Sequence, residues 1–132
     1  IRKQSLSFLF QDLRLFPELT VLENIQLKNS LTGYKNKNEI SNLLETLGIA
    51  DKTRVKAEKL SFGQQQRVAF VRSLCQPYDF IILDEPVSHL DDQNAQIIAG
   101  ILTEEAGKQG AGIIVTSIGK HIELPFNHIF KL

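Results

Sequence analysis

The sequence has no methionine, no tryptophan and one cysteine, Cys75, among its 132 residues. A single cysteine excludes a disulfide within the chain and is typical of a protein from a reducing compartment. No apolar run approaches the roughly 20 residues that cross a bilayer, so we expect any membrane role to require a partner. Because translation starts at methionine, a chain that begins at Ile1 is expected to be a piece of a longer protein.

The chain also lacks net charge, since its 15 basic and 15 acidic side chains cancel. No overall field would then attract a polyanion, and we expect no nucleic-acid partner. The three histidines and the cysteine have no metal-ligand spacing, so neither a zinc nor a haem site is expected. The proportion of apolar residues, 42%, is typical of a folded globular domain.

The hydrophobic pattern predicts an α/β protein with parallel strands. Continuous apolar runs separated by a helical pattern indicate buried strands of a βαβ unit. In the first helix, Val21, Leu22 and Ile25 are expected to face inward. The predicted strands are 1–10, 80–83, 112–116 and 128–132. Four helices are predicted. The first begins near Thr20, the second spans 39–47, and the third begins after Ser61 and is closed by Pro77. The fourth spans 93–108, with Gly107 and Gly110 at its end.

Two adjacent carboxylates, Asp84 and Glu85, follow four apolar residues and precede Pro86. They are expected at the carboxyl end of a buried strand, which is where open α/β sheets place ligands. One carboxylate could face a magnesium ion while the other faces an attacking water. An ordinary strand that leads into an acidic turn is the alternative interpretation.

A second polar group, formed by Ser61, Gly63 and Gln64, lies at a predicted helix start. The free backbone N–H groups and the positive end of the helix dipole favour an anion there. Simple capping of the helix by Ser61 would explain the serine equally well.

In this order, the segments resemble those of the ATP-binding cassette (ABC) transporter ATPases. Gln11 matches the Q-loop glutamine, 60–64 the signature, 80–85 the Walker B strand, and 88–91 the D-loop. The Walker A loop that cradles phosphates, Gly-x-x-x-x-Gly-Lys-Ser/Thr, is absent. The resemblance implies a partial P-loop NTPase core with an inserted α-helical subdomain. The implied segments are 1–16 (core strand and Q-loop), 17–78 (helical subdomain with signature) and 79–132 (remainder of the core).

The same resemblance implies ATP and Mg²⁺ as ligands and assigns roles within a head-to-tail dimer of two ATPase protomers. Asp84 would hold Mg²⁺, with Gln11 sensing the metal and the γ-phosphate, and Glu85 would polarise the hydrolytic water. ATP held by the opposite protomer would be contacted by Ser61, Gly63 and Gln64. The D-loop is represented by Ser88 and Asp91.

The segment 15–25 resembles the ATPases of the lipoprotein-release, macrolide-efflux and cell-division group. In that group it helps to receive a transmembrane permease subunit. The resemblance therefore implies a protein at the cytoplasmic face of the membrane, held there by its permease.

Two positions depart from the family pattern. Phe62 stands where a second glycine is usual, and we expect its side chain to point outward. Ser117 stands where the family has its switch histidine. Serine donates a hydrogen bond but has no titratable imidazole, so hydrolysis is expected to be slowed.

Three functions fit these observations. The first is part of a transporter ATPase that is inactive as residues 1–132 alone. The second is a non-catalytic or degenerate ABC module that offers its signature face or binds a partner. The third, a DNA-repair or chromosome-structuring ATPase, is disfavoured because no sustained heptads lie between Gln11 and Ser61.

Overall fold

A parallel sheet forms one layer of the fold. The computed structural model describes residues 5–124. Its strands are β1 (Leu6–Leu9), β2 (Phe80–Asp84) and β3 (Gly112–Thr116), in the order β1-β2-β3 across the sheet. Its helices are α1 (Val21–Thr32), α2 (Lys37–Thr46), α3 (Phe62–Ser73) and α4 (Asp92–Gln109), with 3₁₀ turns at Ala50–Lys52 and Ala57–Lys59. The predicted α/β class with parallel strands is confirmed.

The strand register places the functional segments on one edge. Leu9 pairs with Leu83 in the β1–β2 ladder, and Asp84 pairs with Thr116 in the β2–β3 ladder. Because parallel strands end at the same edge of a sheet, the residues that follow each strand lie side by side. Gln11 and Glu85, which follow β1 and β2, therefore lie at the same edge of the sheet.

Local signals set the helix starts. The side chain of Thr20 accepts a hydrogen bond from the Glu23 amide, and the Glu23 carboxylate accepts one from the Thr20 amide. This reciprocal cap satisfies two helix N–H groups that would otherwise have no partner. The predicted start of α1 is confirmed, and Ser61 caps α3 as expected.

Four details differ from the predictions. Leu22 is exposed, because Val21 and Ile25 fill the inward face and Leu22 lies about 100° further round the helix. Helix α3 ends at Ser73, before the expected proline. Gly110 alone takes the left-handed conformation that ends α4. The first strand spans Leu6–Leu9, which is shorter than the predicted 1–10, and residues 1–4 lie outside the described part. The predicted strand 128–132 also lies outside the described part and stays a prediction.

Helix α3 lies at the centre of the packing. It contacts α1, α2 and β1, and Val68, Phe70 and Val71 are completely buried. Its side chain Arg67 also reaches the α2 end, where Nη1 donates to the Leu47 carbonyl at 2.9 Å. A shift of α3 would therefore disturb α1, α2 and β1.

A buried ion pair joins the α1–α2 loop to α4. Lys35 and Glu105 are 7% and 8% exposed, and the Lys35 ammonium donates to Glu105 Oε1. Asn29 fixes the loop by bonding both the amide and the carbonyl of Lys35, at 2.9 and 2.7 Å. The pair thus holds a helical hairpin against the helix that follows β2. Within residues 5–124, no helix has the length and apolar character needed to cross a membrane.

Candidate functional site

Asp84 and Gln11 line one open cleft at the carboxyl edge of the sheet. Asp84 ends β2, and its Oδ1 accepts a hydrogen bond from Thr116 Oγ1 at 2.7 Å. Gln11 is exposed in the turn after β1. The structure therefore brings together the two residues that the family resemblance assigns to the magnesium ion, and it places a hydroxyl from β3 beside Asp84.

The turn after Gln11 is strained. Leu13 and Arg14 have φ of 61° and 51°, a left-handed conformation that costs non-glycine residues about 1–3 kcal/mol each. Arg72 of α3 supports both residues, since Nη1 donates to the Arg14 carbonyl at 2.7 Å and Nη2 donates to the Leu13 carbonyl. Burial lowers the pKa of Arg72. The sequence reasoning missed this arginine because its partners come from a segment 58 residues away.

Glu85 is held at several atoms. Its φ of 52° turns the chain sharply at the strand end, and the residue is 8% exposed. The amide donates to the Thr116 carbonyl at 2.9 Å, and carboxylate Oε1 accepts from the Ile118 amide at 2.5 Å. A carboxylate fixed at the end of β2 and close to Asp84 is a suitable orienting group for a reacting water.

The start of α3 packs directly on the segment that follows Glu85. Ser61 Oγ accepts from the Gln64 amide at 3.1 Å, and Gln64 Oε1 accepts from the Ser61 amide at 3.0 Å. At Gly63, a Cβ atom would lie 2.6 Å from the His89 carbonyl oxygen, a contact that side chains do not tolerate. Glycine at this position therefore allows the helix start to touch the predicted D-loop.

Gln66 makes the polar link across this contact. It is 1% exposed, and Nε2 donates to the Glu85 carbonyl at 3.1 Å and to Ser88 Oγ at 3.0 Å. Its Oε1 accepts from the His89 amide at 3.1 Å. The sequence reasoning missed Gln66, because its partners lie 19 to 23 residues further along the chain.

Phe62 lies on the surface at the same junction. It is 41% exposed, and its ring meets that of His89 edge-on with 4.3 Å between the centroids. His89 Nδ1 is 3.0 Å from Ser88 Oγ. The phenylalanine that replaces the usual glycine therefore packs on the predicted D-loop and leaves the backbone of Gly63 in place.

The segment after β3 is tied to the start of α4. Ser117 Oγ donates to the Lys120 carbonyl at 2.8 Å, and Lys120 Nζ donates to the Leu90 carbonyl at 2.8 Å. Lys120 also lies 2.7 Å from an Asp92 carboxylate oxygen, and this hydrogen bond lowers the pKa of Asp92. Asp91 caps α4 through the Asn94 amide at 2.8 Å.

The predicted residues thus form two groups. Asp84, Gln11 and Glu85 lie at the sheet edge with Ser117 close by, whereas Ser61, Gly63 and Gln64 lie at the α3 start beside Ser88. Within residues 5–124, no three His, Cys, Asp or Glu side chains are grouped as a metal centre. Cys75 is buried, and burial raises the pKa of its thiol to about 12, so it is an unreactive core residue.

A protein-family model described as ABC transporter matches residues 1–88. The chain is 34% identical over 135 residues to the macrolide export ATP-binding/permease protein MacB of Aggregatibacter actinomycetemcomitans, a match that covers 100% of this chain and 21% of that protein. It is 32% identical over 120 residues to the lipoprotein-releasing system ATP-binding protein LolD of Hyphomonas neptunium, covering 89% and 53%.

Solved structures give the same result. The dimeric structure of MJ0796, a bacterial ABC transporter cassette, superposes with a TM-score of 0.71 at 29% identity, covering 86% of this chain and 52% of that one. A putative ABC transporter ATP-binding protein of Pyrococcus furiosus gives 0.75 at 27%, covering 92% and 59%. The chain thus spans about half the length of LolD and of these cassettes. Its fold is that of a partial P-loop NTPase core, the relatives named above include ATPases of lipoprotein-release and macrolide-export systems, and the chain belongs to the ABC transporter ATPases.

Proposed function

We propose that this chain is the part of an ABC transporter ATPase that carries the signature and Walker B segments. It would hydrolyse ATP only together with a Walker A loop outside residues 1–132 and a second protomer. The observation that carries the proposal is the direct packing of the α3 start on the backbone that follows Glu85. The division into 1–16, 17–78 and 79–132 belongs to the same proposal.

The sheet edge fits a magnesium ion. The Asp84 carboxylate, the Thr116 hydroxyl and the Gln11 amide present oxygen atoms on one cleft or beside it, and Mg²⁺ prefers oxygen ligands. Bound Mg²⁺ would neutralise the charge of the ATP phosphates. In this arrangement Asp84 would hold the ion, largely through water, and Gln11 would sense the γ-phosphate.

Glu85 is proposed as the residue that polarises the hydrolytic water. General-base catalysis requires a carboxylate held within hydrogen-bond reach of that water. The contacts of its backbone amide and its carboxylate support the assignment, because they fix the side chain at the edge that carries Asp84.

The signature group is proposed to act on ATP of the opposite protomer. Ser61 caps a 12-residue helix whose first turn contains Gly63 and Gln64. The positive end of the helix dipole, together with the first-turn N–H groups that the cap does not bond, favours a phosphate there. His89 and Leu90 of the D-loop lie beside Gly63. Ser88 and Asp91, which flank them, would face the same dimer interface. In a head-to-tail dimer, each ATP would lie between the sheet-edge group of one protomer and the signature group of the other.

The second candidate is a degenerate module without hydrolysis. The observation that favours it is Ser117, whose hydroxyl is bonded to its own loop in place of a switch histidine. Against it stand the ordered contacts of Asp84 and Glu85, which a non-catalytic module would not need.

The first experiment compares Mg-ATP binding and hydrolysis by residues 1–132 with those of the complete reading frame. We expect hydrolysis by the complete protein, and weak or no binding by residues 1–132, because positioning of the phosphates supplies most of the rate and affinity. Micromolar affinity of residues 1–132 in calorimetry would contradict the requirement for a Walker A loop. Absence of hydrolysis by the complete dimer would favour the degenerate module.

The proposed transport partner is a permease that docks in the groove between β1 and α1. Phe16, Leu27 and Leu31 line this groove, and Leu31 is 84% exposed. Exposed apolar side chains around a groove are typical of a protein interface. Docking there would place the ATPase at the cytoplasmic face of the membrane.

Leu31→Glu in the complete protein is expected to abolish copurification with the membrane fraction and to leave basal ATP hydrolysis within about twofold, because a charge at an apolar contact opposes docking. Leu22→Glu is the matched control, since Leu22 is also exposed on α1 but does not line the groove. Undiminished membrane association of Leu31→Glu would contradict this docking site.

A further inference from the structure

Gln66 is a polar side chain among completely buried apolar ones. The neighbouring residues of α3, Val68, Ala69 and Phe70, are at most 1% exposed, and Gln66 is equally buried. Burial of an amide without partners costs about 1–3 kcal/mol, so a buried glutamine is kept only where its hydrogen bonds are made. Gln66 makes three of them, and each goes to the segment 85–89.

The partners fix how the amide is oriented. The Glu85 carbonyl only accepts and the His89 amide only donates, so Nε2 must face Glu85 and Oε1 must face His89. The Ser88 hydroxyl completes the set by accepting from Nε2 at 3.0 Å. A single side chain thus spans the whole turn between the Walker B strand and the D-loop.

The position of this side chain along α3 gives it a functional meaning. Gln66 lies two residues after Gln64, in the helix whose first turn carries the signature group. Its Nε2 holds the carbonyl of Glu85, whose left-handed backbone, with φ of 52°, needs support from the surrounding structure. Because this hydrogen bond joins the two segments, a shift of the signature helix would displace the Glu85 carbonyl.

We infer that Gln66 is a positioning residue that couples the signature helix to Glu85 and to the D-loop of the same chain. The inference rests on the proposed function, because it takes Glu85 as the group that orients water. When the signature of a chain closes on the ATP of its partner, it would fix the position of the Glu85 carboxylate that serves the chain's own ATP. Gln66 itself touches neither nucleotide.

The test uses the complete protein with Gln66→Met, which keeps the length of the side chain and removes its hydrogen bonds. We expect kcat to fall by about 10- to 100-fold, since a misplacement of about 1 Å has effects of this size, while KM for ATP changes less than about threefold. Gln66→Glu keeps the acceptor for the His89 amide and loses the donor to the Glu85 carbonyl, so its kcat should be as low as that of Gln66→Met.

Gln65→Met is the matched control. Gln65 is the adjacent glutamine on α3, and its Nε2 donates to the Ala57 and Leu60 carbonyls instead. It is expected to keep kcat within about threefold of the wild type. A kcat for Gln66→Met equal to that of Gln65→Met would overturn the inference.

Hydrogen exchange gives a readout that does not depend on hydrolysis. The His89 amide donates to Gln66 Oε1, so its exchange should become at least about tenfold faster in Gln66→Met and remain unchanged in Gln65→Met. Unchanged protection of His89 in Gln66→Met would overturn the coupling even if kcat fell. Wild-type protein that hydrolyses no ATP would instead overturn the proposed function, and the inference with it.

Discussion

Glu85→Gln in the complete protein is expected to lower kcat for ATP hydrolysis by about 10²- to 10⁴-fold, the usual contribution of a positioned general base. The glutamine retains an oxygen that can accept from the Ile118 amide, so the strand end should keep its shape. ATP should still bind, because the substitution removes a proton acceptor and leaves the signature unchanged. Steady-state hydrolysis and equilibrium ATP binding, measured on the same preparation, check both parts.

Glu58→Gln provides the matched control. Glu58 is an exposed glutamate of the 3₁₀ turn before the signature, and the amide substitution there removes the same charge away from the sheet edge. Its kcat should equal that of the wild type. A Glu85→Gln rate within threefold of Glu58→Gln would show that Glu85 is not the base.

The second large effect concerns the buried ion pair. Lys35→Met should reduce the free energy of unfolding by about 3–5 kcal/mol, because it leaves the Glu105 carboxylate buried without its main partner. Lys108, 3.6 Å from Glu105 Oε2, offsets part of the loss and places the expected value at the lower end of that range. Urea unfolding of the complete protein at neutral pH measures the change.

The double variant Lys35→Met, Glu105→Leu separates the cost of leaving one buried charge unpaired from the cost of losing the side chains themselves. Replacement of both partners by apolar groups is often neutral, so the double variant should recover most of the lost stability. Lys52→Met serves as a control, since the Lys52–Asp51 pair is exposed at Asp51 and should contribute about 0–1 kcal/mol. Equal effects of Lys35→Met and Lys52→Met would refute the importance of the buried pair.

The parts of the fold that the sequence predicted well have local causes. The start of α1 follows from the reciprocal cap of Thr20 and Glu23, and the limits of β3 follow from an apolar run between Ala111 and Ser117. The motif order also sufficed to identify the family. These signals require only neighbouring residues, so they can be interpreted without the tertiary structure.

The parts that the sequence did not predict depend on contacts between distant segments. Nothing in the local pattern indicates that Gln66 bonds the Glu85 carbonyl or that Arg72 supports the strained turn at Leu13. Glutamine and arginine are mostly surface residues, so the burial of Gln66 and the partial burial of Arg72 are consequences of tertiary packing. The exposure of Leu22 has the same origin, because the inward face of α1 was already filled.

The central claim is that the signature and Glu85 of one chain serve different ATP molecules. Two inactive variants of the complete protein test it, Ser61→Arg, which blocks the signature, and Glu85→Gln. Each alone should be inactive, since both sites of its dimer are damaged. In a head-to-tail dimer that contains one of each, one site has both defects and the other has none.

Coexpression of the two variants in equal amounts, followed by measurement of ATP hydrolysis, therefore gives the most direct answer. Random pairing makes half of the dimers mixed, each with one complete site, so we expect a rate well above that of either variant alone and up to about a quarter of the wild-type rate. A rate no higher than that of either variant alone would contradict the claim and place the signature and Glu85 at the same ATP.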